Sequence, residues 1–183
     1  DDSFTNGASG TVQSIAVQPD YKILVGGLFT NLAGQARNYL GRLHPDGSLD
    51  ATYASDASGD VYSLTVQPDD KILVGGRFTN LAWQARDFIG RLNPDGSLDS
   101  SFTNGANTNV YSTIVQADGK ILLGGFFTNL AGQARNYIGR LLPDGSLDPS
   151  FTNGPNSNVT SMAAQPDGKI LLSGQFTNLA GQP

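Results

Sequence analysis

Arginine followed by aspartate eight positions later recurs three times, at an interval of 49 residues. The pairs are Arg42 with Asp50, Arg91 with Asp99, and Arg140 with Asp148. A ring of arginines could bind a ligand. However, the planar guanidinium suits a bidentate carboxylate, and each aspartate lies across the hairpin expected after its arginine. We therefore predict a structural ion pair in each repeat.

A second recurring polar set lies in the loop Thr-Asn-Leu-Ala-Gly-Gln and in the copy where Trp83 replaces its glycine. Side-chain amides suit hydroxyl groups, and an aromatic residue follows the first three copies of the loop, at Tyr39, Phe88 and Tyr137. A stacking aromatic beside amides is what carbohydrate recognition requires. The alternative is that the amides fix the connection between strands and the aromatics join the core. Trp83 is expected to be an exposed contact or a cap over a neighbour. The candidate ligand-binding residues are Asn31, Gln35, Asn80, Trp83, Gln84, Asn129, Gln133, Asn178 and Gln182.

No catalytic or metal-binding constellation is recognisable in the sequence. His44 is the single histidine and cysteine is absent, so a zinc site cannot be assembled from it, and we expect an exposed turn residue. Residues 93–99 resemble a calcium loop but lack the closing glutamate, and Asp-Gly alone explains a tight turn. We predict no catalytic residue, metal or cofactor, and no enzyme activity.

Several residues break the repeat without forming a recognisable catalytic set. A nucleophile needs an oriented base, and none is evident among them. These residues are His44, Asp56, Asp60, Arg77, Trp83, Asp87 and Met162.

Charge and hydropathy exclude two classes of partner. The net charge is −5, which opposes binding to nucleic acid or anionic lipid. No apolar run approaches the roughly 18 residues that a membrane span requires, so no membrane insertion is expected.

The elements that must position these residues are short strands. Residues 12–18 and 22–30 are β-branched and apolar runs separated by a Pro/Asp turn, which predicts a hairpin. A polar stretch, 31–36, leads to a third run at 37–43 and a short fourth run at 48–53. A strict period of 49 residues indicates a solenoid or a propeller. Four antiparallel strands in each period are typical of a propeller blade.

Four strings recur in constant order along the chain. They are Asp-Gly-Lys-Ile-Leu at 118–122 and 167–171, Gly-Gly-x-Phe-Thr, Arg-Asn-Tyr-Ile-Gly-Arg-Leu at 135–141, and Pro-Asp-Gly-Ser-Leu-Asp followed by Ser-Phe. Over its whole length the sequence resembles the bacterial delta-60 repeat, or DUF5122-type, β-propeller. That resemblance implies tandem blades in secreted or cell-surface proteins and supplies no catalytic residues.

The predicted fold is an all-β propeller of four-stranded antiparallel blades, with four 49-residue repeats of which the last is incomplete. The blades are expected at about 5–53, 54–102, 103–151 and 152–183, with residues 1–4 as a fourth strand of a preceding or closing blade. Four complete copies need 196 residues, 13 more than the 183 present. The missing strand would follow Pro183, and its source stays open between an unrecorded tail, a larger ring and another chain.

The function predicted is a non-enzymatic structural or protein-interaction module of an exported bacterial protein. One alternative is a multivalent, lectin-like propeller. The other is a fragment that completes its ring with another chain, because unpaired strand edges invite β-addition. Expected partners are therefore other protein chains, a second copy, or surface glycans.

Overall fold

The computed structural model describes residues 7–179 and 181–182, and all regular secondary structure within them is β-strand. The strand expected over residues 1–4 lies outside the described residues. The main strands are β1 (Thr11–Val17), β2 (Ile23–Leu28) and β5 (Leu40–Leu43) in the first blade; β6 (Val61–Val66), β7 (Ile72–Gly76) and β10 (Ile89–Leu92) in the second; β11 (Val110–Val115), β12 (Ile121–Gly125) and β15 (Ile138–Leu141) in the third; β16 (Val159–Ala164) and β17 (Ile170–Gly174) in the fourth.

Each of the first three blades is an antiparallel sheet in which the second strand lies in the centre. The orders are β1-β2-β5, β6-β7-β10 and β11-β12-β15, and β16 pairs with β17 in the fourth blade. The predicted hairpin is therefore present in every blade.

The prediction of a fourth strand at 48–53 is wrong. The segment is reduced to a single bridge between Leu43 and Leu49, and a turn follows at once. The cause is Asp50, whose Oδ1 accepts hydrogen bonds from the Thr52 amide at 3.0 Å and the Thr52 hydroxyl at 2.5 Å. Aspartate bonded to the backbone two residues ahead favours a turn over an extended chain.

The polar stretch after the second strand forms a small hairpin of its own. Two-residue strands pair there in the first three blades: β3 (Asn31–Leu32) with β4 (Gln35–Ala36), β8 (Asn80–Leu81) with β9 (Gln84–Ala85), and β13 (Asn129–Leu130) with β14 (Gln133–Ala134). The leucine of each is nearly fully buried and anchors the hairpin to its blade. The third main strand then begins at Leu40 instead of residue 37, after Tyr39 in the left-handed region.

The two glycines of each Gly-Gly pair are required for different reasons. A Cβ on Gly75 would lie 2.9 Å from Cγ1 of Val110 in the following blade. A Cβ on Gly76 would instead collide with the backbone carbonyl of Asp60, at the point where β6 carries a bulge. One glycine thus admits the next blade and the other admits a bulge.

The core lies between successive blades. Leu24 and Leu40 of the first blade form one buried cluster with Val61, Ile72 and Val74 of the second. A similar cluster joins the second blade to the third, and another joins the third to the fourth. Burial of these faces stabilises the array, since each sheet covers the apolar face of its neighbour.

Candidate functional site

Arg42 lies at the centre of a buried network that joins two blades. Its Nε donates to Asp50 Oδ2 at 3.0 Å, and its Nη2 lies 2.9 Å from the same oxygen. Its Nη1 donates to the carbonyl of Pro94 in the second blade at 2.6 Å. The guanidinium carbon lies 4.3 Å from the centre of the Tyr53 ring. These contacts leave the Arg42 side chain only 5% exposed, so the arginine links the two blades.

Asp50 is held in its ionised form. Burial opposes ionisation, but hydrogen bonds from the Thr52 hydroxyl and amide and the charge of Arg42 outweigh it, so the pKa of Asp50 lies well below its usual range. A general acid working near neutral pH requires the opposite shift.

The same ion pair is built in the next two repeats. Arg91 Nε donates to Asp99 Oδ2 at 2.8 Å, and Arg140 Nε donates to Asp148 Oδ2 at 2.9 Å. Lys71 adds a second cation, with its Nζ 3.0 Å from Asp99 Oδ2. The structure thus brings each predicted arginine against its predicted aspartate.

Trp83 occupies the connection between β8 and β9 and is the most exposed large apolar side chain described. Its relative exposure is 77%, and its φ of 65° lies in the left-handed region. The other repeats have Gly34, Gly132 and Gly181 there, with φ of 76°, 76° and 83°. Left-handed backbone is ordinary for glycine and strained for a bulky residue. Nothing in the fold of the blade requires tryptophan at this point.

Two shallow clefts meet at Trp83. One, of about 330 Å³, is lined by Thr52, Ser55, Gln84 and Asp95 among others. The other, of about 300 Å³, is lined by Asn38, Tyr39, Asp56, Ala57, Ser58 and Asn80. Trp83 therefore forms a wall shared by two clefts at the boundary between the first and second blades.

Asp56 joins Trp83 at this boundary, although the two are far apart in the repeat. Asp56 Oδ1 accepts from the Asn38 backbone amide at 3.3 Å, and its Oδ2 accepts from the Asn38 side chain at 3.2 Å. Both Asp56 and Trp83 break the repeat, which was a signal available in the sequence. Their proximity was not, because it depends on long-range pairing within the second blade, where Ala57 pairs with Leu81 and the Ala82 amide donates to the Asp56 carbonyl at 2.9 Å.

The remaining amide candidates are distributed over separate blades. Each asparagine–glutamine pair belongs to its own hairpin or connection, so these side chains do not converge on one site. The four candidate glutamines are all exposed: Gln35, Gln84, Gln133 and Gln182. Asn31 and Asn129 are half-buried, Asn80 is exposed, and half-buried Asn178 accepts a bond from the Gly181 amide at 2.9 Å.

The calcium-like segment and the histidine have ordinary structural roles. Asp95 Oδ1 accepts from the Ser97 amide at 2.8 Å and from its hydroxyl at 2.7 Å, which closes the turn without an ion. His44 is half-buried, with Nε2 4.0 Å from Asp50 Oδ1. Among the described residues, no three histidine, cysteine or acidic side chains are grouped as metal ligands.

A larger concave groove, which the sequence did not indicate, lies along the first strands of the four blades. It has a volume of about 570 Å³. Its lining residues are Gln13, Tyr62, Ser63, Tyr111, Ser112, Asn158, Thr160 and Ser161. One sequence signal was present: the repeat position of Tyr62 holds four residues of three types between constant neighbours.

The fold and the blade geometry define a β-propeller protein. The chain belongs to the family described as "Domain of unknown function (DUF5122) beta-propeller", whose model matches residues 18–53, 67–102, 116–151 and 165–183. The recurring strings therefore identified the family correctly. No curated protein has a significantly similar sequence.

Solved structures share the fold at low sequence identity. The WD40 propeller domain of Doa1 is 15% identical with a TM-score of 0.63, over 90% of this chain and 48% of that one. The extracellular domain of a candidate one component system from B. thetaiotaomicron is 16% identical with a TM-score of 0.54, over 91% and 20%. A candidate gluconolactonase is 17% identical with a TM-score of 0.52, over 96% and 62%.

This chain therefore spans about half of the Doa1 propeller domain and a smaller part of the extracellular domain. These likenesses show the fold alone. Within residues 7–179 and 181–182 the structure has no helix with the length and hydropathy needed to cross a bilayer.

Proposed function

We propose that this chain is a non-enzymatic protein-interaction module of an exported protein, and that its contact surface surrounds Trp83. The observation that carries the proposal is a strained tryptophan, 77% exposed, where three other repeats have glycine. Strained backbone of this kind costs on the order of 1 kcal/mol and clusters at functional positions. Exposed tryptophan is also among the residue types that dominate binding energy at protein interfaces.

The state of the carboxylates supports a role without catalysis. Asp50 and Asp99 are occupied by hydrogen bonds from serine or threonine and from arginine, and the pKa of each is lowered. Neither is poised to exchange a proton near neutral pH.

The exported location is supported by the extracellular domain among the structures that share the fold.

Replacing Trp83 with glycine tests the contact surface, because stability and binding should change in opposite directions. Trp83→Gly copies Gly34 and Gly132, so relief of the strained backbone should stabilise the fold by about 1 kcal/mol. Thermal unfolding measures this change. A destabilised variant would show that Trp83 serves the fold.

The binding arm uses peptides selected from a random library on the wild-type chain alone, and their affinities for wild type and Trp83→Gly are then compared. Trp83 is the single tryptophan, so its fluorescence reports contact directly. We expect peptides whose affinity falls at least about tenfold in the variant, as measured by calorimetry. Gly132→Trp is the matched control, since it presents tryptophan on the third blade without Asp56. Peptides that bind Trp83→Gly equally well would overturn the proposal.

A saccharide is the second candidate for the Trp83 surface. Asp56, Asn38, Asn80 and Tyr39 place a carboxylate, two amides and an aromatic ring in the same cleft. Titration of the Trp83 fluorescence with neutral monosaccharides separates this candidate from the first.

The side chain of Ser173 opposes completion of the ring by a second copy that packs on β17 in the way that successive blades pack on each other. Its counterparts Gly26, Gly75 and Gly124 admit a valine of the next blade because they lack a Cβ. The Ser173 side chain occupies that space on the exposed face of β17.

A further inference from the structure

The first strand of every blade carries a bulge at the same residue. Pairing with the second strand skips one residue between Val12 and Ser14, and the same shift recurs in β6, β11 and β16. The unpaired residues are Gln13, Tyr62, Tyr111 and Thr160. A bulge redirects a side chain and is frequent beside functional sites.

All four bulged residues line the groove of about 570 Å³. The first strands lie side by side because a serine of each blade accepts a backbone amide of the next. Ser14 Oγ accepts from Leu64 at 3.0 Å, and Ser112 Oγ accepts from Met162 at 3.1 Å. The bulges therefore present their side chains from consecutive blades into one concave space. Its volume lies within the range of small-ligand sites.

The bulged position varies although its surroundings repeat. Valine precedes it and serine follows it in all four blades, whereas the bulged residue itself is glutamine, tyrosine or threonine. Because glutamine and threonine occupy the same bulge, the fold does not require tyrosine. Two neighbouring tyrosines in the middle of the groove thus have no structural explanation.

The tyrosines form a polarised aromatic pair. The rings of Tyr62 and Tyr111 lie 5.4 Å apart at an angle of 50°. Tyr62 donates its hydroxyl hydrogen to Asp60 Oδ2 at 3.1 Å, while Tyr111 Oη accepts from Asn109 Nδ2 at 3.3 Å. Tyr62 is thereby left as an acceptor and Tyr111 as a donor. Arg77 neutralises Asp60, with Nη2 3.2 Å from Oδ2.

We propose that the groove along the first strands is a binding site for a neutral oligosaccharide, read by the bulged residues Gln13, Tyr62, Tyr111 and Thr160. Aromatic faces beside hydroxyl and amide groups match the apolar faces and hydroxyls of a sugar chain. A charged ligand would find no uncompensated charge among the lining residues. An extended peptide would add to the free edges of the first strands, but the bulges interrupt that ladder.

The inference is independent of the Trp83 surface, since the two sites share no residue. The test uses neutral hexasaccharides of glucose, xylose, mannose and N-acetylglucosamine, at concentrations up to about 10 mM, which detects a Kd near 1 mM. A galacturonate hexamer is the charged probe and a proline-rich peptide is the peptide probe. Binding is measured by calorimetry on the full chain.

We expect at least one neutral hexasaccharide to bind, and Tyr111→Gln to weaken its affinity by about tenfold or more. This substitution copies Gln13, which occupies the equivalent bulge, so the fold should be retained, and thermal unfolding checks it. Tyr111→Phe should weaken binding less, because it keeps the ring and removes only the hydroxyl. His44→Asn, which copies Asn93 at the equivalent turn position outside both sites, is the control that should leave this affinity unchanged. Trp83→Gly is measured beside it to separate the two surfaces.

Absence of binding by every neutral hexasaccharide would overturn the proposal. So would affinity that is unaffected by both Tyr62→Gln and Tyr111→Gln, or stronger binding of the charged or peptide probe. Loss of affinity in Trp83→Gly alone would move the saccharide to the other surface. These results are distinguishable from failure of the protein-interaction proposal, which concerns peptides at Trp83.

Discussion

Arg91 and Arg140 occupy the same position in consecutive repeats, but only Arg91 is closed over by a following blade. Arg91 Nη1 donates to the Pro143 carbonyl of the third blade at 2.7 Å, and its side chain is 4% exposed. The side chain of Arg140 is 20% exposed, and its partners among the described residues are Asp148 and Ser150 of its own repeat. The ion pair is thus a property of one repeat, whereas its burial is a property of two.

The largest expected difference comes from removing each arginine in turn. Arg91→Met leaves Asp99 buried with only Lys71 as a cation, and we expect a loss of about 3 kcal/mol in the free energy of unfolding. Arg140→Met should cost about 1 kcal/mol, because water screens the more exposed pair. Urea denaturation measures both. Equal losses would show that the following blade contributes nothing to the ion pair.

Blade packing itself can be compared at Gly124 and Ser173. Gly124→Ala would place a Cβ 2.7 Å from Cγ1 of Val159, and we expect overpacking to cost about 2 kcal/mol. Ser173→Ala at the equivalent exposed position should change stability by less than about 0.5 kcal/mol. The two thermal midpoints give the comparison, and an unaffected Gly124→Ala would mean that the blades separate easily.

Acid should weaken the ion-pair networks around Asp50 and Asp99 before the rest of the chain unfolds. In the unfolded chain aspartate binds a proton near pH 3.9, whereas the pKa of Asp50 and of Asp99 is lower in the folded chain. The stabilisation is therefore complete above about pH 4 and is lost as the pH falls. Each carboxylate should account for about 1 kcal/mol between pH 4 and pH 3. Unfolding midpoints of Asp99→Asn across this range should show a smaller slope than wild type.

A further comparison concerns Tyr53 and Phe102, which fill equivalent positions under the following blade. Both are fully buried, and the Tyr53 hydroxyl has no hydrogen-bond partner within the described residues. Burial also raises the pKa of Tyr53, which keeps it neutral. Tyr53→Phe should stabilise the fold by about 1 kcal/mol, and Phe102→Tyr should destabilise it by a similar amount. Calorimetric unfolding of the two variants measures the free-energy cost of a buried hydroxyl without a hydrogen-bond partner at each position.

Most of the fold could be predicted because its signals are local. The hairpin of β6 and β7 follows from two apolar runs and a Pro/Asp turn within a few residues. The strand expected at 48–53 was wrong because Asp50 makes an Asx-type turn there, and the small hairpins at 31–36 and its copies were read only as a polar stretch. Short polar strands lack the alternating pattern that reveals a strand, and their anchoring depends on the tertiary burial of Leu32, Leu81 and Leu130.

The candidate sites were predictable only in part. The pairing of Arg91 with Asp99 follows from their spacing across one turn. Trp83 stood out because the other three repeats have glycine at its position. The proximity of Asp56 to Trp83 and the convergence of Tyr62 with Tyr111 could not be read from spacing. The first depends on long-range pairing within the second blade, and the second depends on how one sheet lies on the next. Local propensity determines neither.

The sequence by itself determined the main strands, most of the turns, the repeat and the ion pairs that lie within one repeat, because each depends on residues close together in the chain. Only the tertiary structure decided which of those groups are buried, which bulged side chains share a groove and that the single tryptophan remains exposed. The physical reason is that burial and convergence arise between blades, where residues about 49 positions apart meet through packing and not through local backbone preference.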